Sequence, residues 1–141
     1  MRRLKRFAQL NRGQRRILAW ALLVVSVARV SLWLLPLNKS RRVVSLAAAG
    51  AASQSVEQVV WAVQAVSRYL PAATCLIRAI AAQALLNRSG FTSQLEVGVA
   101  RHEKEPRRIQ AHAWVICHGQ VVLGGAEAEG YNSLTSWNPQ E

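Results

Sequence analysis

The apolar residues of this chain change period at Gly90, and that change limits the folds open to it. Before Gly90 they recur at helical spacing: Val56, Val59, Val60, Val63, Val66 and Leu70 form one stripe, and Leu76, Ile77, Ile80, Leu85 and Leu86 another. After it, Leu95, Val97 and Val99 alternate with Gln94, Glu96 and Gly98, as in a half-buried strand. "IQAHAWVICHGQVVLGG" then reads as a hairpin turning at His118-Gly119. Helices first and antiparallel strands later make an α+β chain. With 141 residues, one compact domain is expected, built from a basic, apolar helical segment over 1–50 and a core over 51–141.

The punctuation agrees with this division. Ser55 and Gln58 have capping-box spacing ahead of the first stripe, and Pro71 closes it. Thr74 is a good N-cap, Cys75 opens the next helix, and Gly90 suits the position just past its end. "SLAAAGAAS" around Gly50 reads as a turn, "RHEKEPRR" as a solvated loop, and the tail "AEAEGYNSLTSWNPQE" as irregular.

The net charge of +11 belongs to one part of the chain. Residues 1–42 hold eleven lysines and arginines and no acidic residue, while from 43 onward seven basic residues balance seven glutamates. No aromatic interleaving or reading motif accompanies the cluster, so nucleic acid is not expected as a partner. A solvated or peptide-docking face fits it better.

"MRRLKRFAQLNRGQRRILAWALLVVSVARVSLWLLPL" imitates a secretory signal, but its apolar pattern resumes past Arg29 through Leu35. Residues 17–37 are long enough to span a bilayer, although Arg29 within the span costs roughly 2.5–3.5 kcal/mol. Arg15, Ala19, Ser26 and Arg29 fall on one helical stripe, with aliphatics elsewhere. That pattern favours a helix packed against protein on most sides with a thin wet face. A cytoplasmic location is expected, with weak contact to a membrane surface through this helix as the alternative.

Two cysteines, Cys75 and Cys117, are too few for a disulfide scaffold, and both read as thiols in a reducing compartment. No C-x₂-C or H-x₃-H spacing points to zinc. A thiol at a helix start meets unpaired N–H groups and the positive dipole end, which favour thiolate. It becomes a nucleophile if a histidine takes its proton. His102 lies in the charged loop and His118 in the turn; His112 sits mid-strand and shares a face with Trp114 and Ile116. Cys117 alternates away from His112 and reads as an inert core residue. Trp114 is expected to pack the sheet on the Cys75 helix, and Arg78 to pair with a surface glutamate, with contact to substrate as the alternative.

"RYLPAATCLIRAIAAQALLNRSG", "LEVGVA", "AHAWVICHGQVVLGG" and "GYNSL", in this order over roughly 55–134, resemble the transglutaminase-like cysteine protease of lasso peptide biosynthesis, the leader peptidase half of the lasso B protein. The resemblance implies a papain/transglutaminase-like core, with the nucleophile helix packed on a small antiparallel sheet that carries the histidine. By position Cys75 is the nucleophile and His112 the general base and acid. The implied reaction cleaves the leader from a lasso precursor peptide through a thioester. Implied partners are the precursor (leader and core), a small leader-recognition protein and an ATP-dependent lasso cyclase; no cofactor and no metal are implied.

The third catalytic group departs from the superfamily pattern, because the chain contains no aspartate. If His118-Gly119 is a two-residue turn, Cys117 pairs with Gln120 and His112 faces Gly125. Glu127, in phase with Gly125, is then the nearest acidic candidate to orient His112, with a backbone carbonyl or Asn132 as alternatives. Two rival functions remain open: a transglutaminase-type acyl transferase using the same dyad, and a non-catalytic basic helical adaptor.

Overall fold

The computed structural model describes residues 9–70, 74–101, 109–124 and 132–137. Helix α1 (Arg12–Leu34) begins with a cap that the sequence reading passed over. Asn11 Oδ1 accepts from the Gln14 N–H at 2.7 Å, and Gln14 Oε1 accepts from the Asn11 N–H at 3.1 Å. It ends where Leu35 turns extended ahead of Pro36, as the residue before a proline must. Helix α2 (Leu37–Ala48) follows, so half of the expected alanine-rich turn is helical and the chain turns only at Ala49 and Gly50.

Helix α3 (Val56–Ser67) is capped by Ser55, whose hydroxyl accepts from the Gln58 N–H at 3.2 Å. Helix α4 (Cys75–Arg88) is capped by Thr74, whose hydroxyl accepts from the Ile77 N–H at 3.4 Å. At its far end Gly90, with φ +90, donates to the Asn87 carbonyl, and Phe91 donates to that of Leu86. This pair of bonds satisfies two terminal carbonyls and needs the left-handed conformation that glycine adopts freely.

Helix α4 is the centre of the molecule. It packs against α1, α2 and α3 and also against the sheet. Every residue from Ala79 to Leu86 is buried. Ala79, Ala81, Ala82 and Ala84 keep the helices close, while Ile80, Leu85 and Leu86 fill the space between, each contributing about 1.5–3 kcal/mol.

The sheet has four antiparallel strands, β1 (Ser93–Arg101), β2 (Ile109–Cys117), β3 (Gln120–Leu123) and β4 (Asn132–Trp137), in the order β3-β2-β1-β4. The α+β order expected from the change of period is therefore the observed one. His118 and Gly119, at φ 54 and 77, make the expected two-residue turn and pair Cys117 with Gln120. Strand β4 corrects the reading of the tail as irregular: its residues add an edge strand to β1 across a register shift at Val97/Gly98. Ser93 Oγ donates to Asn87 Oδ1 at 3.0 Å, and Gln83 Nε2 donates to the Ser93 carbonyl at 3.3 Å, tying α4 to the start of β1.

One expectation about α1 fails. Its inner face is buried through Ile17, Ala21, Val24, Val25 and Ala28, but its outer face is not a thin polar stripe. Leu22, Leu23, Val30, Trp33 and Leu34 all stand exposed there beside Arg15 and Arg29. Helices α2, α3 and α4 are its neighbours, and they cover the inner face only.

Candidate active site

Cys75 is the first residue of α4, half-buried, and packed against the edge of the hydrophobic core. Around it the Thr74 cap uses the N–H of Ile77, and the Arg78 N–H bonds to the Thr74 carbonyl at 3.0 Å. Helix geometry leaves the N–H groups of Cys75 and Leu76 without intrahelical acceptors. The Cys75 sulfur and two amide donors without intrahelical acceptors therefore belong to the same turn.

His112 is buried on β2, an inner strand with β3 on one side and β1 on the other. Its register partner on β1 is Gly98, which has no side chain to crowd the ring. Helix α4 packs on both β1 and β2, so the helix opened by Cys75 and the strand carrying His112 are in contact. Alternation along β2 turns Ala113 and Val115 to the core shared with the helices and sets His112 and Trp114 on the opposite side of the strand, so helix and strand meet while no hydrogen bond joins Cys75 to His112.

His112 Nε2 lies 3.3 Å from the carbonyl oxygen of Gly124. A carbonyl only accepts, so in this pairing Nε2 carries the proton and the lone pair is on Nδ1. The expected register put Gly125 opposite His112. Instead a bulge between Val115 and Ile116 pairs Val115 with Leu123, shifting β3 by one residue. The carbonyl that reaches the imidazole is that of Gly124, at φ +79 just past the end of β3. A backbone carbonyl was one of the groups open to the role; Glu127 lies outside the described residues, as do His102 and the side chain of Asn132.

Trp114 stacks beside the imidazole, ring centroids 6.1 Å apart at 29°, and its indole N–H donates to Glu96 Oε2 at 2.9 Å. Glu96 faces Trp114 across the β1–β2 pair, so the carboxylate fixes the ring that flanks the histidine. The sequence offered this contact only through alternation: Glu96 lies on the polar side of its strand, the side that Trp114 and His112 take on β2.

The remaining candidates separate cleanly. Cys117 is buried, and burial pushes its thiol up from the ordinary cysteine range. His118 occupies the turn with its ring against Phe91, centroids 5.7 Å apart. Both cysteines are free thiols. Among the described residues no cluster of three metal-ligating side chains occurs. Arg78, one turn along α4 from Cys75, does not make the expected surface pair with a glutamate: its buried Nε has no hydrogen-bond partner.

Comparison with protein families finds one match: the model described as the transglutaminase-like superfamily covers residues 18–136. No curated protein and no solved structure matches the chain.

Proposed function

Because the chain belongs to the transglutaminase-like superfamily, whose fold serves cysteine peptidases and acyltransferases, we propose that it is a cysteine peptidase that removes the leader from a lasso precursor peptide. The observation that carries the reading is the pairing of elements: a cysteine opening a buried helix, packed on the strand whose buried histidine is bonded to a carbonyl.

The chemistry follows from that pairing. Nδ1 of His112 takes the thiol proton, and Cys75 Sγ attacks the scissile carbonyl carbon. The N–H groups of Cys75 and Leu76 receive the developing oxyanion. The C–N bond then breaks as the imidazolium returns its proton to the leaving amine, leaving a thioester on Cys75. His112 next draws a proton from water, whose oxygen attacks the thioester, and the freed sulfur closes the cycle. Gly124, through its carbonyl, holds the tautomer that an aspartate holds elsewhere in the superfamily. Such an orienting group is the most dispensable member of a triad.

Arg78 supplies a contact to substrate in this scheme. A buried N–H without an acceptor costs about 1–3 kcal/mol, which a carbonyl or carboxylate of the bound peptide relieves. The leader-recognition protein presents the peptide, and the cyclase consumes the amine that cleavage frees. Two free thiols and the absence of a disulfide scaffold favour a reducing cytoplasm.

The test is mass spectrometry of precursor peptide incubated with the purified chain and the recognition protein. Two fragments that together exceed the precursor by one water mark hydrolysis. A product carrying an added amine marks an acyltransferase. A precursor that is bound and left intact marks an adaptor.

A further inference from the structure

The outer face of α1 has no use in the catalytic scheme, and it is the most exposed apolar surface of the helical layer. Trp33 is 84% exposed, Leu34 64% and Val30 54%. At 100° per residue, Leu22, Leu23, Val30, Trp33 and Leu34 share one arc of about 120°, running for about 20 Å along the helix. Arg12, Arg15 and Arg16 occupy the same arc in the turns before it, all exposed, and Arg29 lies at its edge. Neither α1 nor α2 contains an aspartate or glutamate.

From this face we infer that α1 docks the protein on an anionic phospholipid bilayer, lying in the plane of the headgroups. Three observations select that occupant. Helix α1 is long and apolar enough to cross a membrane, yet Val24, Val25 and Ala28 are fully buried in the core shared with α3 and α4. Turning it through a bilayer would open that core, so it lies on the surface. The charge is complementary to a negative surface: a second copy of this chain laid parallel on the same strip would set arginine against arginine, and one laid antiparallel would set Arg12 and Arg16 against the apolar Leu34 and Val30. The order along the helix, cations first and a tryptophan at the far end, suits an interfacial helix. Trp33 is at home at headgroup depth, and Arg29 can bury its stem while its guanidinium reaches phosphate.

The experiment is co-sedimentation of the full chain with vesicles of phosphatidylcholine alone, or of phosphatidylcholine containing about one-third phosphatidylglycerol. Binding to the anionic vesicles is expected to be at least about tenfold tighter than to the neutral ones, and to weaken as salt is added. Trp33→Ser with Leu34→Ser, and separately Arg12→Glu with Arg16→Glu, should each lower it about tenfold while circular dichroism stays unchanged. Failure to sediment with anionic vesicles overturns the inference. So does undiminished binding in both variant pairs, or a dimer in gel filtration that the Trp33/Leu34 variant dissolves. Cleavage of precursor in solution is independent of all these outcomes.

Discussion

The carbonyl of Gly124 stands 3.3 Å from Nε2 of His112, on a residue that no other amino acid can replace without cost. Its φ of +79 is left-handed, and an added Cβ would meet the Ala113 carbonyl at 3.1 Å and His112 Nε2 at 3.2 Å. The residue that aims the acceptor also leaves the space in which the imidazole sits. Gly124→Ala should therefore lose about 1–2 kcal/mol of stability in denaturant titration. It should also lower kcat for precursor cleavage by about tenfold or more, with KM little changed and a displaced pH–rate profile. An unchanged pH profile would mean that the carbonyl does not position the base.

The assignment of the nucleophile is tested by two cysteine variants. Cys75→Ala should reduce cleavage about a thousandfold or more while its melting curve stays close to that of the parent. Cys117→Ala should lose about 1 kcal/mol of stability and keep its activity. The opposite pattern would transfer the chemistry to β2 and sink the reading.

Thiol labelling separates the same two residues without a substrate. Cys75 is half-buried and should react with iodoacetamide in the native protein, whereas Cys117 is 2% exposed and should react only on unfolding. The raised Cys117 pKa also makes a stability prediction. The folded state holds this thiol neutral, so above the pKa of the unfolded thiol the unfolded chain binds fewer protons than the folded one. Stability is then complete below that pKa and falls as the alkaline pH rises above it. Denaturant midpoints across the alkaline range should show the fall, and Cys117→Ala should reduce it.

Arg78 should appear in substrate binding. Arg78→Met removes a buried donor that has no internal partner, so it should not destabilise the fold. It should raise KM about tenfold, the worth of one charge-assisted bond, with Arg78→Lys intermediate. A change confined to kcat would place the guanidinium elsewhere in the cycle.

What the sequence made legible was chemistry that neighbouring residues settle among themselves. Thr74 and Gly90 bracket α4 because a hydroxyl can cap N–H groups three residues on, and a glycine can turn left-handed. His118-Gly119 marks the hairpin for the same kind of reason. The bulge at Val115/Ile116 left no such mark, since it depends on how β3 is drawn along β2, and neither did the approach of the Gly124 carbonyl to His112. Strand β4 was hidden because "NSLTSW" gains its extended form from β1 rather than from its own composition. The outer face of α1 was misjudged on different grounds. A helical wheel shows which residues share a side; it does not show how many neighbours exist to cover them.

Helix α4 is enclosed from Ala79 to Leu86 by three helices and a sheet, which leaves that stretch little room to adjust. If Cys75 is the nucleophile proposed above, its sulfur is mounted at the tip of this enclosed helix, and shape changes during turnover would have to be absorbed by the incoming peptide and whatever delivers it. Selectivity in a peptidase built this way would come from accurate presentation of the peptide to a sulfur already in place.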